Sequence, residues 1–436
     1  MKIRFILLLT VFFFKTTFSY SQEMDSMAWW NPAKNAFNVI GGQGWPDQVQ
    51  SPYDRLPSKA EGIVRKDVWE LSKHPAGLII RFRSNASKIS VRYQVSGKME
   101  MPHMPATGVS GVDLYAKDSD GKWMWHKGKF SFKDTVQYAF SDITPNDSYH
   151  DKGREYHLYL PLYNPVEWLE IGVNKNALFE AIPIRREKPI VVYGTSIAQG
   201  ACASRPGMAW TSILGRRMDW TLINLGFSGN GKLEAEVIDL MTGIDAKIYI
   251  LDCLPNLALN KNRSAEDVHQ LILSAVEKIR KRSSAPVLLV EHSGYSDGLT
   301  NAKRFKEYTE LNNIMEVAFS QLKSEGMDNI YLLPQTEINL CLDCYVDGTH
   351  PSDLGMEIYA SAYEKILRQI LNQPIGNCST TIPVTQARDP GMYNWEERHN
   401  EPLSLNKKNP PKICFYGNSI SRPSECKFCE CWDHFA

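Results

Sequence analysis

The segment KPIVVYGTSIAQG (188–200) contains the pattern that decides the fold of this chain. It places the strand-forming run IVVYG (Ile190–Gly194) directly before Thr195 and Ser196. A short, continuous apolar run bounded by turn residues is typical of a strand that is buried on both faces of a parallel sheet. We therefore predict a buried strand with Ser196 at its carboxyl end.

Four more apolar segments follow this strand and alternate with helical patterns. The predicted strands are TLINLGF (221–227), AKIYILDCL (246–254), PVLLVEH (286–292) and NIYLLP (329–334). Apolar residues at helical spacing predict three helices: one directly after a Ser264 cap, one that ends before Gly326, and one from Leu354 to Ile370. This alternation implies an α/β fold whose parallel sheet is covered on both faces, with the active site beyond the carboxyl ends of its strands.

The region before residue 185 has a different pattern. Period-2 runs such as LIIRFR (78–83), ISVRYQV (Ile89–Val95) and EYHLYLPLY (155–163) are separated by Gly, Pro, Asn and Asp turns. They predict an all-β sandwich at 22–184 that few helices interrupt, followed by the α/β domain at 185–373. We interpret the polar segment from 374 to 436 as a linker followed by the start of a second, truncated domain, which is described below.

The first 21 residues predict a signal peptide. Lys2 and Arg4 precede an apolar run from Phe5 to Phe14, which ends before small residues at Ser19 and Ser21. This run is too short to span a bilayer, which takes about 20 apolar residues. We expect a secreted or periplasmic protein that does not insert into a membrane after signal removal and has no cysteine near the cleavage site to carry a lipid.

Composition excludes some classes of partner. The 49 basic and 49 acidic residues give a formal net charge of zero, so no global field attracts nucleic acid, and a small neutral substrate fits better. The nine cysteines are odd in number and define no disulfide framework, although Cys341 and Cys344 form a CxxC pattern. We expect Cys202 and Cys253 to be small buried residues.

Residues with catalytic chemistry follow the predicted strands in order. Ser196 follows the first strand, Gly229 the second and Asn256 the third, and Asp347 and His350 precede the last helix. A serine hydroxyl needs an imidazole to take its proton, and the imidazole needs a carboxylate to orient it. The backbone N–H groups of Ser196 and Gly229 and the Asn256 amide would form an oxyanion hole, with Gly229 allowing close backbone approach.

These motifs resemble a known family. GTSI, GFSGN, LPN and DGTHP are similar to blocks I, II, III and V of the SGNH (GDSL-like) hydrolases across 188–373, and HMPATGVSGVDLY (103–115) resembles the GxDLY domain that precedes such esterases in bacteria. The resemblance implies a flavodoxin-like hydrolase domain that uses Ser196, Asp347 and His350 without cofactor or metal. The chain departs from the family pattern at Thr195, where Asp is usual, and in its third block, which lacks the Gly-x-Asn-Asp form.

The resemblance and the predicted export indicate hydrolysis of a short acyl ester, with acetyl on a carbohydrate as the leading hypothesis. Candidates for substrate binding are His103, Arg205, Glu291 and His292, and tryptophans of the sandwich could stack on sugars (Trp29, Trp30, Trp45, Trp123 and Trp125). The alternatives are a lipase or lysophospholipase and a carbohydrate-binding protein with a silent hydrolase domain. The sugar, the acyl position and the oligomeric state stay open.

Other segments of the chain also carry catalytic or metal-binding residue types. GYSDG (294–298) matches a nucleophile elbow around Ser296, but polar residues separate it from its strand, which favours a loop. Asp147 and His150 repeat the Asp-x-x-His spacing ahead of the nucleophile, where a turn is the favoured interpretation. PPKICFYGNSI (410–420) resembles a second block I with Ser419, which we interpret as the start of a truncated hydrolase domain; a zinc site at Cys426, Cys429, Cys431 and His434 is disfavoured by their crowding.

Overall fold

A computed structural model describes residues 27–119, 121–144 and 148–373. The described residues form an antiparallel β-sandwich followed by a parallel α/β sheet, which confirms the predicted fold class. The predicted signal peptide, Asp147 and the tail that contains Ser419 lie outside the described residues. Within the described ranges, no helix combines the length and the apolar character needed to cross a membrane.

Two antiparallel sheets form the sandwich. Its strands in chain order are β1 (Met27–Trp30), β2 (Ile40–Gly41), β3 (Ile79–Ser84), β4 (Ile89–Val95), β5 (Asp113–Lys117), β6 (Trp123–His126), β7 (Lys129–Ser131), β8 (Val136–Phe140), β9 (Arg154–Tyr159), β10 (Val166–Asn174) and β11 (Phe179–Ala181). The sheet orders are β1-β10-β4-β8-β7 and β11-β3-β9-β5-β6, with β2 paired to β3. Strand β4 shows the predicted alternation, because every second residue from Ile89 to Val95 is buried in the sandwich core.

The parallel sheet has the order β13-β12-β14-β15-β16. Its strands are β12 (Ile190–Gly194), β13 (Leu222–Gly226), β14 (Ile248–Asp252), β15 (Val287–Val290) and β16 (Ile330–Leu333). Val191 and Tyr193 pack into one core and Ile190 and Val192 into the other, so β12 is buried on both faces. The predicted strands are confirmed, with ends that differ by no more than two residues.

Helices cover both faces of this sheet. The sandwich region contains α1 (Lys66–Ser72), α2 (Ala106–Val109) and α3 (Ser148–Asp151), and the α/β region contains α4 (Ser196–Gln199), α5 (Trp210–Met218), α6 (Ala235–Met241), α7 (Ala265–Arg280), α8 (Ala302–Ser324), α9 (Gln335–Ile338) and α10 (Asp353–Ile370). At α7 the Ser264 side chain accepts from the Asp267 N–H and the Asp267 carboxylate accepts from the Ser264 N–H. The cap expected at Ser264 is therefore confirmed as a reciprocal capping box.

One segment of the front region packs with the α/β sheet rather than with the sandwich. Trp45, Leu56, Val68 and Trp69 belong to the same buried cluster as the residues of β13. Val68 and Trp69 come from helix α1, which is one of the few helices in the front region. The apolar side of α1 is buried by residues that lie far along the chain. The local sequence pattern does not reveal this contact.

Arg55 fixes this segment to the edge strand β13. Its guanidinium, which is only 1% exposed, donates to the carbonyl oxygens of Asn224 at 2.9 Å and Gly226 at 2.7 Å. It also donates to the carbonyl oxygens of His74 at 2.6 Å and Leu71 at 2.8 Å. An edge strand leaves every second carbonyl unpaired, and Arg55 supplies donors to two of them.

We expect Arg55→Met to lower the free energy of unfolding by about 3 kcal/mol, because buried carbonyl oxygens that lose their donors cost about 1 to 3 kcal/mol each. Urea unfolding followed by tryptophan fluorescence measures this change. Arg92→Met is the matched control, since Arg92 pairs with Glu170 at the surface and its loss should cost less than about 1 kcal/mol. Equal stability of the two variants would contradict the role assigned to Arg55.

Candidate active site

Ser196 is the first residue of helix α4, directly after strand β12. The Thr195 hydroxyl accepts the N–H of Ile197 at 3.3 Å and caps the helix, and Gly200, at φ +107°, ends it after one turn. Thr195 therefore performs a capping task for which a hydroxyl is sufficient. This short turn holds Ser196, which is 8% exposed, at the carboxyl end of the strand.

Ser196, His350 and Asp347 form a continuous chain of hydrogen bonds. The Ser196 Oγ lies 2.8 Å from His350 Nε2, and His350 Nδ1 lies 2.7 Å from Asp347 Oδ2. The second carboxylate oxygen of Asp347 accepts the backbone N–H of His350 at 2.8 Å and that of Thr349 at 3.1 Å. The structure thus brings Ser196 to Asp347 and His350, although Ser196 and His350 lie 154 positions apart in the sequence.

The environment of Asp347 favours its ionised form. Partial burial acts to raise the pKa of Asp347, but the hydrogen bonds and charge of His350 and the N–H of Thr349 outweigh it and lower the pKa below the usual value for an aspartate. An ionised carboxylate at this position holds a proton on His350 Nδ1 and leaves Nε2 free to accept one.

The three candidate oxyanion donors follow strands β12, β13 and β14, in the order Ser196, Gly229 and Asn256. Asn256 lies at the end of the short 3-10 helix Leu254–Asn256, and its Oδ1 accepts the N–H of Gly231 at 3.1 Å. The amide oxygen is thereby occupied, which leaves the Nδ2 group of Asn256 as its donor for a ligand. Within the described residues, the N–H groups of Ser196 and Gly229 have no acceptor. The two N–H groups and the Asn256 Nδ2 group are therefore free to donate to a ligand.

Two glycines shape the loop after β13. At Gly229 a Cβ would meet no described protein atom within 4 Å, and its φ of +68° is a conformation that favours glycine. At Gly231 the backbone comes very close to a neighbouring strand. A Cβ there would lie 2.1 Å from the carbonyl oxygen of Gly194, so only glycine lets this loop pack against the nucleophile strand.

Gln199 and His74 support the site and were not predicted from the sequence. The side-chain oxygen of Gln199 accepts the N–H of Ser228 at 3.0 Å, and its nitrogen donates to His74 Nδ1 at 3.1 Å. Burial, aided by the charge of Arg55, lowers the pKa of His74 to about 4, so this imidazole is neutral at pH 7. Nothing in the local sequence around His74 indicates this contact, because its partner lies 125 residues away.

A cleft of about 400 Å³ opens at His350. Its walls come from the segment around helix α1, from the loop before helix α2 and from the loops after β12 and β13; the lining residues include Asp67, Glu70, Leu71, His74, Met101, His103 and Tyr163. The exposed ring of His103 stacks beside that of His350, with 5.9 Å between ring centroids. His103, a candidate for substrate binding, therefore lies in the wall of the cleft beside His350.

Comparison with known proteins identifies both regions. Residues 187–368 match the GDSL-like lipase/acylhydrolase family, and residues 27–179 match the GxDLY family, described as the N-terminus of SGNH hydrolase-type esterases. This chain carries a GDSL-like hydrolase domain behind a GxDLY domain. A search of curated proteins finds no match to it.

Solved structures show the same arrangement. A putative GDSL-like lipase from Bacteroides ovatus is 29% identical with a TM-score of 0.72, and the alignment covers 79% of this chain and 98% of that one. A salicylyl-acyltransferase from a tetracycline biosynthetic pathway is 16% identical with a TM-score of 0.59, over 80% of this chain and 96% of that one. The second likeness concerns the fold alone.

Three candidates for substrate binding in the GDSL-like hydrolase lie outside this cleft lining. Arg205 pairs with the buried carboxylate of Asp113 and donates to the Tyr115 hydroxyl at 2.7 Å, so it joins the hydrolase domain to strand β5. Glu291 is buried and accepts the N–H of Gln335 at 2.7 Å. His292 is buried too, and its burial, with the charge of Arg304, lowers its pKa to about 3. The contacts of these three side chains are therefore with other residues of the protein.

The tryptophans of the GxDLY domain do not form a common platform for sugars. Trp45 lies in the hydrolase core, Trp30 packs against Phe179, and Trp123 packs against His157. Arg92 covers the ring of Trp29, and Trp125, the most exposed at 48%, donates to Asp113 and stacks under a guanidinium. The prediction that they stack on substrate gains no support from these positions.

The GYSDG segment braces the triad turn. The N–H of Ser296 donates to the carbonyl oxygen of Gly348 at 3.1 Å, so Ser296 lies in a loop, as expected. Arg304 donates to the same carbonyl at 3.0 Å and to the Thr349 hydroxyl at 2.9 Å, and it pairs with Asp297 at 2.8 Å. Arg304 thus fixes the turn between Asp347 and His350 and is a positioning residue that sequence reasoning missed.

We expect Arg304→Ala to lower kcat of the hydrolase by about tenfold or more with little change in KM, because small displacements of a catalytic group are costly. Steady-state kinetics on a short ester measures both constants. Lys303→Ala is the matched control, since Lys303 is an exposed neighbour on the same helix. A change in KM alone would place Arg304 in substrate binding instead.

Proposed function

We propose that this protein is a serine esterase that removes short acyl groups, acetyl in the first place, from carbohydrates through an acyl-enzyme intermediate. The observation that carries the proposal is the assembled hydrogen-bond chain from Ser196 through His350 to Asp347 beside a small open cleft. An intact triad of this geometry argues against the alternative of a silent hydrolase domain.

The reaction follows from the positions of these groups. His350 Nε2 takes the hydroxyl proton as Ser196 Oγ attacks the ester carbonyl carbon, and the Asp347 carboxylate stabilises the imidazolium. The N–H groups of Ser196 and Gly229 and the Asn256 amide bind the oxyanion. His350 then protonates the leaving alcohol, and a water molecule, activated by the same imidazole, releases the acid and restores Ser196.

The walls of the cleft support a polar substrate with a short acyl group. Carboxylates of Asp67 and Glu70 and the imidazoles of His74 and His103 offer hydrogen-bonding partners of the kind that sugar hydroxyls need. Apolar side chains such as Leu71 and Met101 form the larger share of the exposed wall, over a limited area that suits a short acyl group. A lipase or lysophospholipase would need a longer apolar surface for its acyl chain, so we favour the carbohydrate ester.

We also propose that the protein is exported. The signal-like segment 1–21 supports this proposal, and so does the disulfide between Cys341 and Cys344, because disulfides persist mainly in oxidising compartments.

The proposed function predicts release of acetate from acetylated oligosaccharides and a steep fall in kcat/KM from p-nitrophenyl acetate to p-nitrophenyl octanoate. Ser196→Ala should lose several orders of magnitude in kcat, since triad removal leaves only a small residue of catalysis. Acetate assay, chain-length profiling and mass spectrometry after treatment with a serine-reactive phosphonate measure these outcomes.

Ser296→Ala is the matched control and should retain activity, with the phosphonate found on Ser196. Labelling of Ser296 would contradict the nucleophile assignment. A preference for octanoate over acetate would favour the alternative of a lipase instead.

Activity should rise with pH along a single limb, because the imidazole that accepts the serine proton must be neutral. Asp347 should add no limb of its own near neutral pH, since its pKa lies below the usual aspartate value. The pH profile of kcat/KM measures this. Removal of metal ions with EDTA should not lower the activity, and a loss restored by zinc would contradict the proposed mechanism.

A further inference from the structure

Four side chains with metal-binding atoms meet at the catalytic histidine. His103, Cys202, Asp347 and His350 each offer one ligand atom, and these atoms all lie within 4.8 Å of one another. Only two of the four, Asp347 and His350, are close in sequence. The loop before helix α2 supplies His103 and the turn after helix α4 supplies Cys202, so the cluster exists only in the folded chain.

The donor set has a definite metal preference. Imidazole and thiolate ligands favour Zn²⁺ or Co²⁺, whereas Mg²⁺ and Ca²⁺ prefer oxygen ligands in larger number. Around a tetrahedral zinc ion, ligand atoms at about 2.0 to 2.3 Å from the metal lie roughly 3.3 to 3.8 Å apart. The four atoms therefore need to contract by only about 1 Å to bind such an ion.

We propose that this cluster is an inhibitory zinc site, at which Zn²⁺ binds His103, Cys202, Asp347 and His350 and stops the hydrolase.

Inhibition follows from the hydrogen bonds that the triad needs. The two ring nitrogens of His350 are both in use, Nδ1 with Asp347 at 2.7 Å and Nε2 with Ser196 at 2.8 Å. A metal ion on either nitrogen replaces one of these contacts. With the ion bound, the imidazole cannot both be oriented by Asp347 and accept the proton of Ser196.

The site is accessible and partly preformed. His103 and His350 both line the cleft, which gives an ion a path from solvent. Cys202 is held in the left-handed conformation at φ +69°, and its Sγ contacts the carbonyl oxygen of His103 at 3.5 Å. The thiol and the His103 backbone are thus already in contact, and the thiol gives its proton to solvent when it binds the ion.

The test uses the purified full chain, stripped with a chelator and then dialysed. Co²⁺ titration should produce a thiolate-to-cobalt absorption band, and this band should be lost in Cys202→Ala and weakened in His103→Ala. Cys253→Ala is the matched control, because Cys253 is the other free buried cysteine in the described residues and its Sγ likewise contacts a carbonyl oxygen at 3.5 Å. Cysteines of the tail are unchanged in all variants.

Zinc inhibition of p-nitrophenyl acetate hydrolysis is measured in parallel, relative to the uninhibited rate of each variant. The zinc concentration for half inhibition should rise by at least about tenfold in Cys202→Ala and His103→Ala, the size of effect known for partners of metal ligands, and stay unchanged in Cys253→Ala. Mg²⁺ and Ca²⁺ should not inhibit. Circular dichroism identifies a variant that fails to fold, in which case Cys202→Ser replaces it.

Inhibition rests on the proposed esterase function, whereas metal binding does not. Ser196→Ala should be inactive yet retain the cobalt band, so a chain without ester hydrolysis still reports on the site. A cobalt band that survives in Cys202→Ala, or equal zinc sensitivity in all variants, would overturn the proposal.

Discussion

The free edge of strand β13 must be covered, and the buried guanidinium of Arg55 covers it. Its hydrogen bonds to the carbonyl oxygens of Asn224 and Gly226 hold strand β13, which leads into the loop that contains Gly229. A buried cation is tolerated only when its donors are used, so the chain at Leu71 and His74 must come to the same group. One interaction therefore ties a cleft wall to the loop that contains Gly229.

The opposite side of the site depends on a second set of polar contacts. The turn from Asp347 to His350 follows β16, the edge strand opposite β13. The turn contains no helix or strand, so residues from other segments must hold it in place. Arg304 and the N–H of Ser296 bind the carbonyl oxygen of Gly348, while the pairing of Tyr345 with Pro351 closes the turn. The nucleophile itself needs less support, because it follows a strand that is buried on both faces.

The GxDLY domain contributes to the cleft as well as preceding it. His103, from its loop, stacks beside the catalytic imidazole, and the segment around helix α1 supplies carboxylates at the rim. The same convergence of loops that forms the cleft also brings four metal-binding atoms together at His350. The proposed substrate binding and the proposed zinc inhibition therefore both depend on a single group of loops from the two domains.

The sequence by itself determined the two kinds of sheet and the five main catalytic candidates. Period-2 runs and buried apolar runs report local burial, and the carboxyl ends of parallel strands meet at one edge, so Ser196, Gly229 and Asn256 could be assigned to one site beside Asp347 and His350. Only the tertiary structure decided the roles of residues whose partners are distant. It separated His103, which reaches the cleft, from Arg205, Glu291 and His292, which pack elsewhere, and it revealed contacts that no local pattern encodes, at Arg55, His74, Gln199, Gly231 and Arg304. The residue type at each position determines the chemistry of its side chain, but long-range packing determines which residues surround it. That packing decides whether a polar group stabilises the fold or faces the substrate.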